Sequence, residues 1–234
     1  MQVQGVKKSA KSAVKKKRIL VVDDHPMTRE GIVQWIRGEP DLEICGEAET
    51  SARALDIVIK RKPDLVLTDI GLPDKMGLEL IKDIKAVCPK TLILVISMHD
   101  ETLYAERVLR AGARGYLTKA EGGETLLQAI RRVLDGQIYV SERMSMRIVE
   151  VFSGQVPPER AGIERLSDRE FEIFELLGKG LSTQEIGDRL HLSTKTVDAH
   201  RANIKGKLPI KSSRELISYA ARWSAQQELS RRGS

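Results

Sequence analysis

The stretch Leu65-Val66-Leu67-Thr68-Asp69-Ile70-Gly71-Leu72-Pro73 decides how this chain is read. A short apolar run ends on one carboxylate, and Gly71 and Pro73 then break regular structure. The run is too short for a helix and does not alternate, which marks a strand buried on both faces. Ile19–Val22 has the same form and ends on Asp23-Asp24. Leu92–Ile96 runs into Ser97, and Gly115–Leu117 runs through Thr118 into Lys119. Leu42–Cys45 is a fifth run. Amphipathic stretches at Met27–Arg37, Ser51–Lys60, Gly77–Val87, Glu101–Ala111 and Glu121–Leu134 follow the runs in turn. Strands that alternate with helices imply an α/β fold, a five-stranded, doubly wound parallel sheet.

Ligands of such sheets sit at the carboxyl ends of the strands. Asp23, Asp24, Asp69, Ser97 and Lys119 therefore converge on one edge. Three carboxylates held together repel one another and call for a cation. Oxygen donors with open positions for water and phosphate suit Mg²⁺. A lysine and a hydroxyl can hold a transferred phosphoryl group, with Asp69 as the nucleophile. Taken singly, the acidic pair reads as a solvated loop, Ser97 as a turn residue and Lys119 as a surface charge. Their joint occurrence at four strand ends favours the phosphoacceptor reading.

The 234 residues are 41% hydrophobic and 4% aromatic, so aliphatic side chains must fill the cores. The formal charge of +6 is uneven. Residues 1–17, with Lys7, Lys8, Lys11, Lys15, Lys16 and Lys17, form a basic tail expected to be disordered. From Glu164 onward 13 basic residues face 10 acidic ones, and the middle of the chain is acidic. No apolar run approaches the ~20 residues of a membrane helix, and no signal-peptide pattern follows the lysines. Cys45 and Cys88 form no C-x-x-C pair, which fits reduced thiols in a cytoplasmic protein.

Residues 141–152 form another amphipathic stretch, and Ser153–Gly162 is a breaker-rich linker. The division expected is a first domain over 18–137, a linker with a helix over 138–163 and an all-α domain over 164–234. Capping boxes stand at Ser167/Glu170, Ser182/Glu185 and Ser212/Glu215, and Ser193 is a further N-cap. A tight turn at Leu190–Ser193 then separates a short helix, Thr183–Leu190, from a longer one, Thr194–Leu208. Ile186, Leu190, Leu192, Val197, Ile204 and Leu208 face inward. Between Lys195 and Arg214 six basic residues accompany one acid, Asp198. A helix of this size fits the major groove of double-stranded DNA. Lys195, Thr196, Lys205 and Lys207 are placed for phosphates, and Asp198, Ala199, His200, Arg201 and Ala202 for base edges. His200 reads equally as a buried core histidine. Arg201 is expected to lay its stem along the domain edge and reach outward. Trp223 reads either as core or dimer-seam cover or as a plain surface residue.

The segment Ile19–Ala120 resembles a response-regulator receiver. The resemblance rests on Val22-Asp23-Asp24-His25-Pro26, on Thr68-Asp69-Ile70-Gly71-Leu72-Pro73 with Gly77, on Ser97, and on Gly115-Tyr116-Leu117-Thr118-Lys119. Residues 164–223 resemble a LuxR-type helix-turn-helix through Leu166-Ser167-Asp168-Arg169-Glu170, Ser182-Thr183-Gln184-Glu185-Ile186, Leu192-Ser193-Thr194-Lys195-Thr196-Val197 and His200. The whole chain thus resembles the NarL/FixJ family of two-component response regulators. The resemblance implies a flavodoxin-like receiver with Asp69 as phosphoacceptor, and Asp24, Asp69 and the Gly71 carbonyl as Mg²⁺ ligands assisted by Asp23. It implies Ser97 and Tyr116 as switch residues, with Tyr116 rotating inward on phosphorylation. It also implies a cognate histidine kinase or phosphotransfer protein as donor, promoter DNA as target and a homodimer in the active state. Ala120 stands where many receivers have proline, and Pro209 where relatives often have glycine. Three rivals weigh less. An aspartyl-phosphate phosphatase needs an acid two residues after the nucleophile, where Gly71 stands. A vestigial pocket is at odds with the intact set of five residues, and a protein-binding helix-turn-helix with the basic recognition helix. No enzymatic activity is expected beyond self-phosphorylation and self-dephosphorylation at Asp69.

Overall fold

The structure, a computed structural model, describes residues 15–99, 101–152, 162–190 and 192–232. The basic tail up to Val14 and the linker from 153 to 161 lie outside the described residues. Strands β1 (Lys17–Val22), β2 (Leu42–Ala48), β3 (Leu65–Thr68), β4 (Leu92–Ser97) and β5 (Gly115–Thr118) alternate with helices α1 (Pro26–Arg37), α2 (Ser51–Arg61), α3 (Gly77–Val87), α4 (Glu101–Ala111) and α5 (Gly123–Leu134). The strands pair in parallel in the order β2-β1-β3-β4-β5. The chain leaves β1 towards one edge and returns through β3 towards the other, so the crevice of the sheet opens where β1 and β3 end.

Successive strand residues point to opposite faces, and both faces are apolar. Leu20, Val22, Val66, Ile93 and Val95 pack under α2, α3 and α4. Ile19, Val21, Leu65, Leu67, Leu94 and Ile96 pack under α1 and α5. The register sets Val22 opposite Thr68 and Ser97 opposite Thr118. The residues that follow those pairs are Asp23, Asp69 and, one strand over, Lys119. Two local devices fix the loop after Asp69. Asp74 turns back and accepts hydrogen bonds from the Ser51 and Ala52 N–H groups (2.9 and 3.0 Å), capping α2. Gly77 starts α3 so close to the loop that a Cβ there would stand 2.4 Å from the Asp69 carbonyl oxygen.

The remaining elements are helical: α6 (Glu142–Phe152), a 3₁₀ turn at Ile163–Arg165, then α7 (Asp168–Gly178), α8 (Thr183–Leu190), α9 (Thr194–Lys207) and α10 (Ser213–Arg232). The capping boxes form at α7, α8 and α10. Ser193 caps α9 by accepting from the Thr196 N–H at 3.1 Å. Helix α9 ends one residue before the expected Leu208, which adopts an extended backbone ahead of Pro209. Ile186, Val197, Ile204 and Leu208 are buried, while Leu190 and Leu192 are half-buried at the rim. Trp223 is not a plain surface residue: it meets the edges of Phe171 and Phe174 with centroids 5.6 and 5.4 Å away. No helix among the described residues is long and apolar enough to cross a membrane.

The turn between α8 and α9 requires a glycine. A Cβ on Gly187 would lie 2.8 Å from the Leu192 carbonyl oxygen, and the Gly187 carbonyl accepts from the Leu192 N–H at 2.8 Å. Gly187→Ala is expected to push the two helices apart and lower stability by roughly 1–3 kcal/mol. Urea denaturation followed by circular dichroism checks this; an unchanged midpoint would show that the turn relaxes freely.

Candidate functional site

At the carboxyl end of the sheet, the backbone N–H of Lys119 donates to the Ser97 carbonyl at 2.9 Å, which anchors the loop after β5 onto β4. From there the Lys119 ammonium reaches Asp23 at 2.7 Å and Asp69 at 2.6 Å. All three side chains are buried, at 8, 2 and 7% exposure. The other Asp69 oxygen accepts from the Ile70 and Gly71 N–H groups at 2.6 and 3.3 Å. Burial alone would push the Asp69 carboxyl up, but the adjacent ammonium outweighs it and holds Asp69 below the usual aspartate range. Burial likewise pulls Lys119 down, and Asp69 and Asp23 more than reverse it, so Lys119 stays charged.

Asp24 is more open, and its carboxylate lies 2.7 Å from His25 Nδ1. Asp23, Asp24, His25 and Asp69 bring their ligand atoms within 4.8 Å of one another. This set of carboxylate oxygens fits a small hard dication such as Mg²⁺. His25 entered the sequence reading only as part of a motif. Its place beside Asp24 depends on the first turn of α1, where Pro26 opens the helix, and neighbouring residue types alone do not announce it.

Ser97 is fully buried, with its hydroxyl 2.8 Å from His99 Nδ1. Tyr116 departs from expectation. The ring already lies inward at 1% exposure, with its hydroxyl donating to the His99 carbonyl at 2.6 Å. In this conformation the His99 carbonyl supplies the acceptor that holds the ring in the inward position.

Residues 19–131 match the response regulator receiver domain model, and residues 164–220 match the model for bacterial regulatory proteins of the luxR family. The chain is 36% identical over 208 residues to the oxygen regulatory protein NreC of Staphylococcus aureus, a match that covers 87% of this chain and 96% of NreC. The chain belongs to the NarL/FixJ family of response regulators. Among solved structures, RcsB of Salmonella enterica serovar Typhimurium, bound to promoter rprA in the presence of the phosphomimetic BeF₃⁻, is 25% identical. It superimposes with a TM-score of 0.68 over 88% of this chain and 99% of that one. A LuxR-family two-component response regulator from Aurantimonas sp. SI85-9A1 is 32% identical, with a TM-score of 0.56 over 59% of this chain and 99% of that one.

In this response regulator the face of α9 is open. Lys195, Asp198, Ala199 and Ala202 are exposed, and Thr196, His200 and Lys205 are half-buried. Two expected contacts point elsewhere. Arg201 does not reach outward: its guanidinium donates to the Thr183 hydroxyl on α8 and to Asp198 at 3.2 Å, and the side chain is 16% exposed. The acceptors on the neighbouring helix and turn draw it in. Lys207 is held by Glu170 at 2.6 Å, an ion pair that keeps Glu170 below the usual glutamate range despite its burial. Asp198 thus braces Arg201. His200 turns Nδ1 into the domain, where it has no hydrogen-bond partner among the described residues. Lys205 lies 3.4 Å from the Ser213 hydroxyl.

Lys119→Met leaves two buried carboxylates without their cation, and at neutral pH without added metal it is expected to cost about 3 kcal/mol. Asp69 is lowered in the folded state, so the stabilisation it gains from Lys119 is present above the ordinary aspartate pKa near ~3.9. That stabilisation disappears as pH falls through the lower folded value. The gap between wild type and Lys119→Met in urea denaturation is therefore expected to be wide at neutral pH and to close towards acid. A gap that widens towards acid would contradict the ion-pair account.

Proposed function

We propose that Asp69 accepts a phosphoryl group from the phosphohistidine of a cognate histidine kinase or phosphotransfer protein, and that this controls binding of promoter DNA by α9. The observation that carries the reading is the single ammonium of Lys119 between Asp23 and Asp69 at the end of β1 and β3. An Asp69 oxygen attacks phosphorus, the nitrogen–phosphorus bond breaks, and the imidazole leaves with a proton from solvent. Lys119 then moves from neutralising the free carboxylate to pairing with the transferred phosphoryl oxygens. Ser97 leaves His99 and donates its hydroxyl to the same group. Asp23, Asp24 and Asp69 with the Gly71 carbonyl would hold Mg²⁺, which would supply positive charge to the phosphoryl oxygens. Hydrolysis returns the carboxylate when water attacks phosphorus. Gly71 has no side chain to orient that water, and His99 borders its approach.

The functional division that goes with this reading is a receiver over 18–137, a linker over 138–163 and an effector domain over 164–234. On α9, Lys195, Thr196 and Lys205 serve phosphates, with Ala199 and His200 nearest the base edges. Lys207 and Arg201 join only after leaving Glu170 and Thr183. Active molecules pair as homodimers, and the protein works in the cytoplasm, where promoter DNA is. The DNA-bound RcsB structure supports the effector reading.

Incubation with acetyl phosphate and Mg²⁺ is expected to add one phosphate to the wild type and none to Asp69→Asn, read by intact mass. A full adduct on Asp69→Asn would place the acceptor elsewhere. On DNA, Lys195→Ala is expected to weaken cognate and scrambled duplexes alike and reduce the salt slope by about 1. Asp198→Ala is expected to raise non-specific affinity by removing a negative charge near phosphates. Binding curves at two salt concentrations check both; if neither variant differs from wild type on either duplex, α9 is not the DNA-binding helix.

A further inference from the structure

Helix α7 is covered on every side. From Glu170 to Leu177 each residue is buried, and these include Glu170, Glu172 and Glu175 at 3, 7 and 6% exposure. An outer helix of a small helical domain keeps one wet face. Here that face lies against the receiver, and the contacts are built for it. Phe171 meets the ring of Tyr104 on α4, with centroids 5.3 Å apart. The Arg107 guanidinium, also on α4, lies 4.4 Å from the centre of the Phe171 ring. It donates to the carbonyls of Leu166 (2.9 Å) and Ile163 (3.1 Å) and to the Asp168 carboxylate (3.2 Å). Only 12% of the Arg107 side chain is exposed. From α3, Lys82 reaches Asp168 at 2.7 Å and Glu79 reaches Arg169 at 3.3 Å.

Next to this latch lies a cavity of about 620 Å³ over the phosphoacceptor. Asp69, His99 and Lys119 line it from the receiver, and Glu172, Glu175 and Arg189 line it from α7 and α8. On α9, Lys195, Asp198, Ala199 and Ala202 are exposed, so the docked effector domain leaves the DNA-reading face open while α7 and α8 stand over the receiver's reacting group.

We propose that the docked helix-turn-helix domain is a roof over Asp69 that selects the phosphodonor, held shut by Arg107; this rests on Asp69 being the acceptor. Small phosphoryl donors fit the cavity. A protein donor presents its phosphohistidine on a folded surface, and a helix alone is about 10–12 Å across. It needs the receiver surface around Asp69 that α7 and α8 occupy. Transfer from a protein donor then proceeds only through the fraction of molecules in which the roof has lifted, and its rate falls by that fraction. Closure also sets like charges near each other: Glu172 is pushed up by its burial and, across the seam, by Glu79 of α3, even with Arg169 at 2.6 Å, and that repulsion opposes the closed state.

The test uses the full chain as wild type, Arg107→Ala and Lys82→Glu, two changes on α4 and α3 that remove latch contacts and touch nothing at the acceptor. Each is labelled with acetyl phosphate and, separately, with a phosphorylated histidine-containing phosphotransfer domain at a concentration where slow transfer to the open variants is measurable. Small-angle scattering reports opening. Acetyl phosphate is expected to label all three at rates within about twofold, while the protein donor labels both variants about tenfold faster than wild type, and the variants scatter as larger particles. Equal protein-donor rates overturn the roof, and so does an acceleration of the same size with acetyl phosphate. Variants that stay compact overturn the latch. Labelling of Asp69→Asn by acetyl phosphate overturns the acceptor reading itself, which separates that failure from failure of the roof.

Discussion

One buried ammonium holds the functional end of this molecule together. Lys119 stands between Asp23 and Asp69 at 2.7 and 2.6 Å, and neither carboxylate has another cationic side chain so near among the described residues. Without it two buried carboxylates at the strand ends would carry uncompensated charge. The parallel sheet makes the arrangement possible: β1, β3 and β5 deliver their last residues to one edge, and the pairing of Thr118 with Ser97 carries Lys119 back across β4. A pocket assembled this way sets one fixed cation against two carboxylates before any ligand arrives.

That edge was legible in the sequence because it depends on chain order alone. Short apolar runs that each end on a chemical residue fix which side chains meet, once the sheet is parallel. The helix caps at Ser167, Ser182, Ser193 and Ser212 were legible for the same reason, since each lies within four residues of its partner. The buried face of α9 followed from the spacing of Val197 and Ile204.

What the sequence left hidden are contacts between segments far apart in the chain. Tyr116 lies inward because a carbonyl at His99 accepts its hydroxyl, and motif position says nothing of that. Arg201 and Lys207 read as DNA-facing cations, yet acceptors on α8 and α7 claim them. The exposed spacing of Arg107 on α4 gives no hint that it enters the effector domain. In each case a charged or hydroxyl-bearing side chain found a partner that local periodicity does not encode. The docking of the two halves is the largest such feature, and it links the receiver to the helical domain through α4 and α7.

The central claim is that the chemistry at Asp69 governs what α9 does on DNA. Selection of bound sequences from a random duplex pool, by wild type and Asp69→Asn, each with and without acetyl phosphate and Mg²⁺, tests it most directly. The account predicts that one enriched motif emerges or sharpens for phosphorylated wild type and stays unchanged for Asp69→Asn. Equal enrichment in all four selections would show that the pocket and the recognition helix work independently.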